Sequence, residues 1–244
     1  MNQIHMINQG KGGVGKTVCA VFLAQYKLSR GTPTTCLDLD PVNASFSQFL
    51  ALKAQHFPLM DEQRIDPRKF DEFMETVLSS DDDFIVDSGA STFLPLNSYL
   101  VENNALDLLA ESNRKVVFHV VITGGQSLSD TVTGFDSVAS SLPPTAELVV
   151  WLNEHFGPIE MNGKQFEELG IYKDYADRVK GIVRLHKKRA DTFEADVRHM
   201  FEAKLTIEEI LRETKNHVEF GVMPRQRLLI IQREVFAQLD GIFP

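Results

Sequence analysis

A chain of 244 residues with 43% hydrophobic and 24% charged side chains suits one large α/β domain or two small ones. Its formal net charge of -9 argues against a dedicated nucleic-acid binder, which is usually basic, although a local basic patch stays possible. Cys19 and Cys36 are too few for a disulfide framework, lack metal-site spacing and are expected to be buried small hydrophobes; no apolar run approaches the roughly 18 residues that span a bilayer.

Met1 leads directly into residues 4–8, a short buried strand, so no secretory leader is expected and a cytoplasmic protein is. The next segment, Gly10-Lys11-Gly12-Gly13-Val14-Gly15-Lys16-Thr17, satisfies the P-loop pattern G-x-x-x-x-G-K-[ST]. Glycines there let successive backbone N–H groups converge on an anion. Lys16 is placed to reach the β- and γ-phosphates of a nucleotide, and the Thr17 hydroxyl to ligate Mg²⁺. Residues 18–26 read as a helix with a wide apolar face, aiming its positive end at the phosphates. It stops near Gly31.

Residues 34–41 read as a strand ending in acid. Asp38 and Asp40, two apart, leave a strand on one face, and at the carboxyl end of a central strand they lie beside the phosphates. The other reading is an acidic turn capping a helix over 45–52, with Asn43 or Ser45 as N-cap. A loop with a short strand near 57–60 follows, then an amphipathic helix over 67–78. Asp81, Asp82 and Asp83 read as a solvated turn. Residues 84–87 form an apolar strand ending in Asp87, the Walker B arrangement that sets a carboxylate near Mg²⁺.

Beyond it, 94–109 reads as helix, 115–123 as a long apolar strand ended by Gly124-Gly125, and 127–142 as a helix closed by Pro143-Pro144. His119, inside the strand, reads as a satisfied core histidine rather than a ligand. Residues 147–153 are a further buried strand. Turns at Gly157-Pro158 and Asn162-Gly163 surround short helices over 155–177. The chain closes with a strand over 181–185 and helices over 193–203, 206–212 and 225–239. Strands alternating with helices predict a doubly wound, mostly parallel sheet flanked by helices, in one domain over 1–244.

Lys11 makes the loop more specific. The string Lys11-Gly12-Gly13-Val14-Gly15-Lys16-Thr17 resembles the deviant Walker A motif of the ParA/MinD/ArsA/NifH family of P-loop ATPases. That resemblance implies an ATP-dependent homodimer in which Lys11 reaches the partner's nucleotide and, with Lys16 and Asp40, forms the catalytic set. Asp38-Leu39-Asp40-Pro41-Val42-Asn43 resembles the family's switch I, which implies that Asp38 holds Mg²⁺ through water and that Asp40 polarises the attacking water. Gly89 stands where the family has its switch II glycine facing the γ-phosphate, and Asn153 where it has an adenine-reading asparagine; a loop asparagine is the alternative. Val18 replaces a second hydroxyl that many members carry, and the proline common near switch II is absent from Ser88-Gly89-Ala90-Ser91.

Segments 9–16, 40–44, 123–126, 130–132, 149–153, 157–160 and 225–228 are similar to the TraL proteins of plasmid conjugative-transfer regions. The similarity implies an accessory ATPase with a protein partner in that machinery. Competing readings are a membrane-cycling ATPase using Arg225, Arg227 and Arg233 on an amphipathic last helix, a DNA-binding partition ATPase using Lys187-Lys188-Arg189, and a small-molecule kinase. Glu234 and Asp240 interrupt the basic face, the acidic total disfavours DNA, and no acceptor site is visible for the kinase.

Overall fold

The computed structural model describes residues 2–61, 64–212 and 220–244. Seven strands make the main sheet: β1 (Asn2–Asn8), β2 (Thr34–Asp38), β3 (Gln55–His56), β6 (Asp83–Asp87), β7 (Arg114–Thr123), β8 (Glu147–Asn153) and β11 (Val179–Leu185). Two small antiparallel strand pairs account for β4 (Met60–Asp61) with β5 (Arg64–Ile65), and β9 (Glu160–Met161) with β10 (Lys164–Gln165). The sheet order is β11-β8-β7-β1-β6-β2-β3, and every neighbouring pair is parallel.

Parallel strands need helical crossovers, so both faces are covered. The period of two sorts their side chains cleanly. Ile4, Met6, Phe84, Val86, Phe118, Val120, Leu148 and Val150 enter one core with α2 (Arg68–Ser79), α3 (Phe93–Glu102), α4 (Ala105–Glu111) and α5 (Leu128–Ser141). Ile7, Ile85, Val117, Val121, Val149 and Trp151 enter the other with α1 (Lys16–Ser29), α7 (Phe193–Glu202), α8 (Ile207–Arg212) and α9 (Val222–Ile242). A single turn, α6 (Gly170–Lys173), lies before β11.

Several sequence expectations change here. The predicted helix over 45–52 is one 3₁₀ turn, Leu50–Leu52, because the Ser47 N–H is taken by Asp38 and the Ser47 hydroxyl bonds Ala44 O. No helix therefore follows for Asn43 or Ser45 to cap. β2 ends at Asp38 rather than Pro41, since Asp38 captures the Asp40 N–H and turns the chain. The helix over 94–109 divides at Asn103-Asn104, where Asn104 adopts φ 48°. Asp83 is not in a solvated turn: it opens β6, is buried, and pairs with Lys27 at 2.9 Å. In place of the short strand near 57–60, β3 ends just before that stretch and β4 begins at its last residue, Met60.

His119 does behave as a core histidine. The Trp151 indole N–H donates to its Nδ1 at 2.9 Å, and its Nε2 lies 2.9 Å from His5 Nδ1. α9 buries Leu228, Val235, Leu239 and Ile242 and packs on β11, α7, α8 and α1, so its apolar side serves the core. Both cysteines are buried with pKa values pushed up by desolvation, Cys36 to about 12. No helix among the described residues is long and apolar enough to cross a membrane.

Candidate nucleotide site

β1 delivers the chain to the carboxyl edge of the sheet at Asn8, and the loop turns there into α1. Gly15, the residue before α1, has φ 102°, and a Cβ on it would lie 2.7 Å from Asn153 Nδ2. Both facts exclude a larger residue. Lys16 is buried and donates to the Lys11 carbonyl at 3.0 Å, so its ammonium stands at the mouth of the loop. Burial lowers its pKa, opposed by Asp87 and Asp40.

Strand register brings the acids together. Asp38 of β2 is paired with Asp87 of β6, and Ile7 of β1 is also opposite Asp87. Both carboxylates leave their strands toward α1, on the same side as Cys36 and Ile85. The Thr17 hydroxyl donates to Asp87 Oδ2 at 2.6 Å and lies 3.0 Å from the Ser45 hydroxyl. Asp87 Oδ1 is buried with no partner, and burial pushes the Asp87 pKa to about 7. A buried carboxylate with an unused oxygen beside a threonine hydroxyl is a donor set that fits Mg²⁺, a hard cation with few protein ligands. Asp38 spends Oδ1 on the Asp40 N–H at 3.1 Å and Oδ2 on the Ser47 N–H at 2.8 Å; burial raises its pKa as well.

Asp40 lies past the strand. Its Oδ1 accepts from the N–H groups of Val42 (2.9 Å) and Asn43 (3.0 Å). Gly89 sits directly against it: a Cβ at 89 would be 2.7 Å from Asp40 Cγ and 3.0 Å from its Cα. The two sequence-predicted switch segments are thus packed on one another. Between them and the P-loop lies a cleft of about 530 Å³, lined by Gly12, Gly13, Gly15, Lys16, Thr17, Asp40, Asn43, Ser45, Ala90 and Ser91. Gly10 is held outside it against the Phe93 ring, and Val14 is buried beneath.

Asn153 closes β8 under the loop. Its Nδ2 donates to Val14 O at 2.9 Å and its Oδ1 accepts the His155 N–H at 3.2 Å. The amide is therefore bound to the loop itself. Lys11 is exposed on the other flank and pairs with Asp130 at 2.7 Å.

Sequence reasoning left Asp130 and Gln9 without a role, although both fall in segments noted for similarity. Gln9 Nε2 donates to the carbonyls of Val121 (2.8 Å) and Thr131 (3.1 Å), so it ties the entrance of the loop to α5. Within Lys187-Lys188-Arg189, Lys188 pairs with Glu234 at 2.7 Å and Arg189 with Asp191 at 3.1 Å. Among the described residues no group of three or more His, Cys, Asp or Glu forms a metal cluster.

A parallel sheet with a P-loop at its carboxyl edge and acidic strand ends beside it defines a nucleotide-binding protein, and the chain belongs to the CobQ/CobB/MinD/ParA nucleotide-binding domain family, matched over residues 5–229. It is also similar to two proteins named TraL from Escherichia coli, each 42% identical over 241 residues, covering 99% of this chain and 98% of theirs. Among solved structures, the MinC:MinD cell division protein complex of Aquifex aeolicus aligns over 96% of both chains at 15% identity with a TM-score of 0.55. The septum site-determining protein MinD of Pyrococcus horikoshii OT3, complexed with Mg-ADP, aligns over 99% of this chain and 98% of its own at 18% identity with a TM-score of 0.54. These two likenesses establish the fold.

Proposed function

We propose that this protein is a nucleotide-switched ATPase that binds ATP·Mg²⁺, pairs with a second copy of itself, and hydrolyses ATP slowly. The observation that carries the reading is the Thr17–Asp87 contact of 2.6 Å, with a second Asp87 oxygen buried and unpartnered beside the loop. Thr17 and Asp87 would hold Mg²⁺, with Asp38 behind them acting through water. When bound, the ion would offset the negative charge that develops on the phosphates during transfer.

The loop's N–H groups would cradle the phosphates, and Lys16 would leave the Lys11 carbonyl to meet them. Asp40 keeps Oδ1 engaged with Val42 and Asn43, which leaves Oδ2 to accept a proton from a water aimed at the γ-phosphate. Gly89, which by lacking a side chain lets Asp40 come so near, would face the γ-phosphate. Phosphoryl transfer depends mostly on such positioning. A switch turn held by two backbone bonds in one protomer is consistent with slow turnover until a partner completes the site. Lys11 would supply that completion in trans, in keeping with its exposed place on the rim.

The similarity to TraL supports an accessory or positioning role in conjugative plasmid transfer, through a protein partner in that machinery. The ion-paired Lys188 and Arg189 and the core-facing α9 give no support to DNA or membrane as the primary target.

The decisive experiment is size-exclusion chromatography with light scattering on apo, ADP- and ATP-loaded protein, beside Lys11→Ala and Asp40→Ala. ATP should give a dimer that Asp40→Ala traps and Lys11→Ala abolishes. A mass that never changes with nucleotide would defeat the switch.

A further inference from the structure

A second cavity, of about 290 Å³, opens on the α7–α9 side of the P-loop. Gly13, Gly15 and Val18 line this cavity and the phosphate cleft alike, so one nucleotide can keep its phosphates in the cleft and place its base here. The lining includes aromatic and aliphatic side chains, Phe22 and Val235 among them, that suit a flat ring.

Most of the polar groups around it already have partners within the chain. The Asn153 amide holds Val14 and His155, Arg184 pairs with Glu154 and Glu167, and Lys188 pairs with Glu234. Glu194, in the first turn of α7, is different. Its Oε2 is 3.5 Å from His155 Nδ1, while its Oε1 is shielded from water and has no hydrogen-bond partner. A buried, unpaired carboxylate oxygen is costly and is relieved by an N–H donor. Glu194 lines the cavity, which puts its carboxylate beside a base placed there.

The geometry points to Glu194 as the residue that selects the base, accepting a hydrogen bond from the amino group of a 6-aminopurine. The assignment rests on the ATP-binding reading above. A purine bearing a carbonyl at that position would set its oxygen against the carboxylate and be rejected. Sites built around a buried polar group discriminate in this way because the wrong ligand leaves that group unpaired.

The test is equilibrium binding of ATP, inosine triphosphate and inorganic tripolyphosphate, each with Mg²⁺, to the full chain and to Glu194→Ala and Glu194→Gln. The unmodified protein should prefer ATP over inosine triphosphate about tenfold or more, the worth of one charge-assisted hydrogen bond. Glu194→Ala should bring the two within about threefold without weakening tripolyphosphate. Glu194→Gln, which keeps a carbonyl acceptor, should retain part of the preference. If tripolyphosphate binds but ATP and inosine triphosphate bind equally to the unmodified protein, the base assignment is wrong while the P-loop reading stands. An ATP preference that survives Glu194→Ala also overturns it. Failure of tripolyphosphate to bind at all would remove the P-loop reading beneath both.

Discussion

Lys11 and Asp130 are 119 residues apart in sequence, yet the Lys11 ammonium lies 2.7 Å from the Asp130 carboxylate. The pair joins the P-loop to the first turn of α5, where Gln9 also holds the Thr131 carbonyl. Lys11 therefore has a resting partner within its own chain, which it would have to leave in the proposed dimer.

Because both side chains are about half exposed, this pair is worth at most about 1 kcal/mol. Asp130→Asn should free Lys11 and lower the concentration at which ATP drives dimerisation, by up to about fivefold. Light scattering across a dilution series measures it. A weaker dimer would mean that Asp130 itself belongs to the interface.

Burial holds the Asp87 carboxyl at about 7. Its folded pKa lies above the unfolded value, so its contribution to stability is present below about pH 4 and is lost as pH rises through about 7. The nucleotide-free protein should lose stability over that window, by no more than about 4 kcal/mol from this group. Asp87→Asn keeps an acceptor for Thr17 and should flatten that part of the curve, while abolishing Mg²⁺-dependent nucleotide binding. Thermal melts between pH 5 and pH 8 provide the comparison, and an unchanged slope in the variant would remove Asp87 as its source.

A methyl group at 89 would stand 2.7 Å from Asp40 Cγ and 3.0 Å from Asp40 Cα, with backbone on one side and a hydrogen-bonded carboxylate on the other. Gly89→Ala should displace Asp40, cost about 1–3 kcal/mol of stability, and lower single-turnover hydrolysis about 100-fold. ATP affinity should change far less, because the P-loop is untouched. Hydrolysis within about threefold of the parent would detach Asp40 from the chemistry.

The Trp151 indole can only donate, so it assigns the protons along the buried histidine pair. His119 accepts at Nδ1, donates from Nε2 to His5 Nδ1, and leaves His5 with an Nε2–H that lacks a partner. Burial lowers both pKa values, that of His119 to about 3. Nitrogen-15 NMR should find both rings neutral and Nε2-protonated at pH 5.5. Their stabilising contribution is complete above the unfolded histidine pKa, near 6.5, and is lost as pH falls toward the folded values. A charged imidazolium at pH 6 on either ring would refute the arrangement.

Local patterns carried a great deal of this structure. The P-loop turn between β1 and α1 was legible because its pattern is built from consecutive residues, and Asp87 because a buried strand aims its last side chain predictably. The parallel sheet followed from alternating apolar strands and helices. The failures were equally physical. The helix over 45–52 was lost when Asp38, nine residues before Ser47, captured its N–H, and one helix became two where Asn104 took a left-handed conformation.

Sequence alone determined where the P-loop pattern falls and that Asp87 ends a buried strand, since backbone geometry over a few residues fixes both. Tertiary structure alone decided that Asp38 stands opposite Asp87, that Asp40 presses on Gly89, that Asn153 ties down Val14, and that Lys11 rests on Asp130. Those pairings depend on sheet order and register across distant segments, where a shift of one residue sends a side chain to the opposite face.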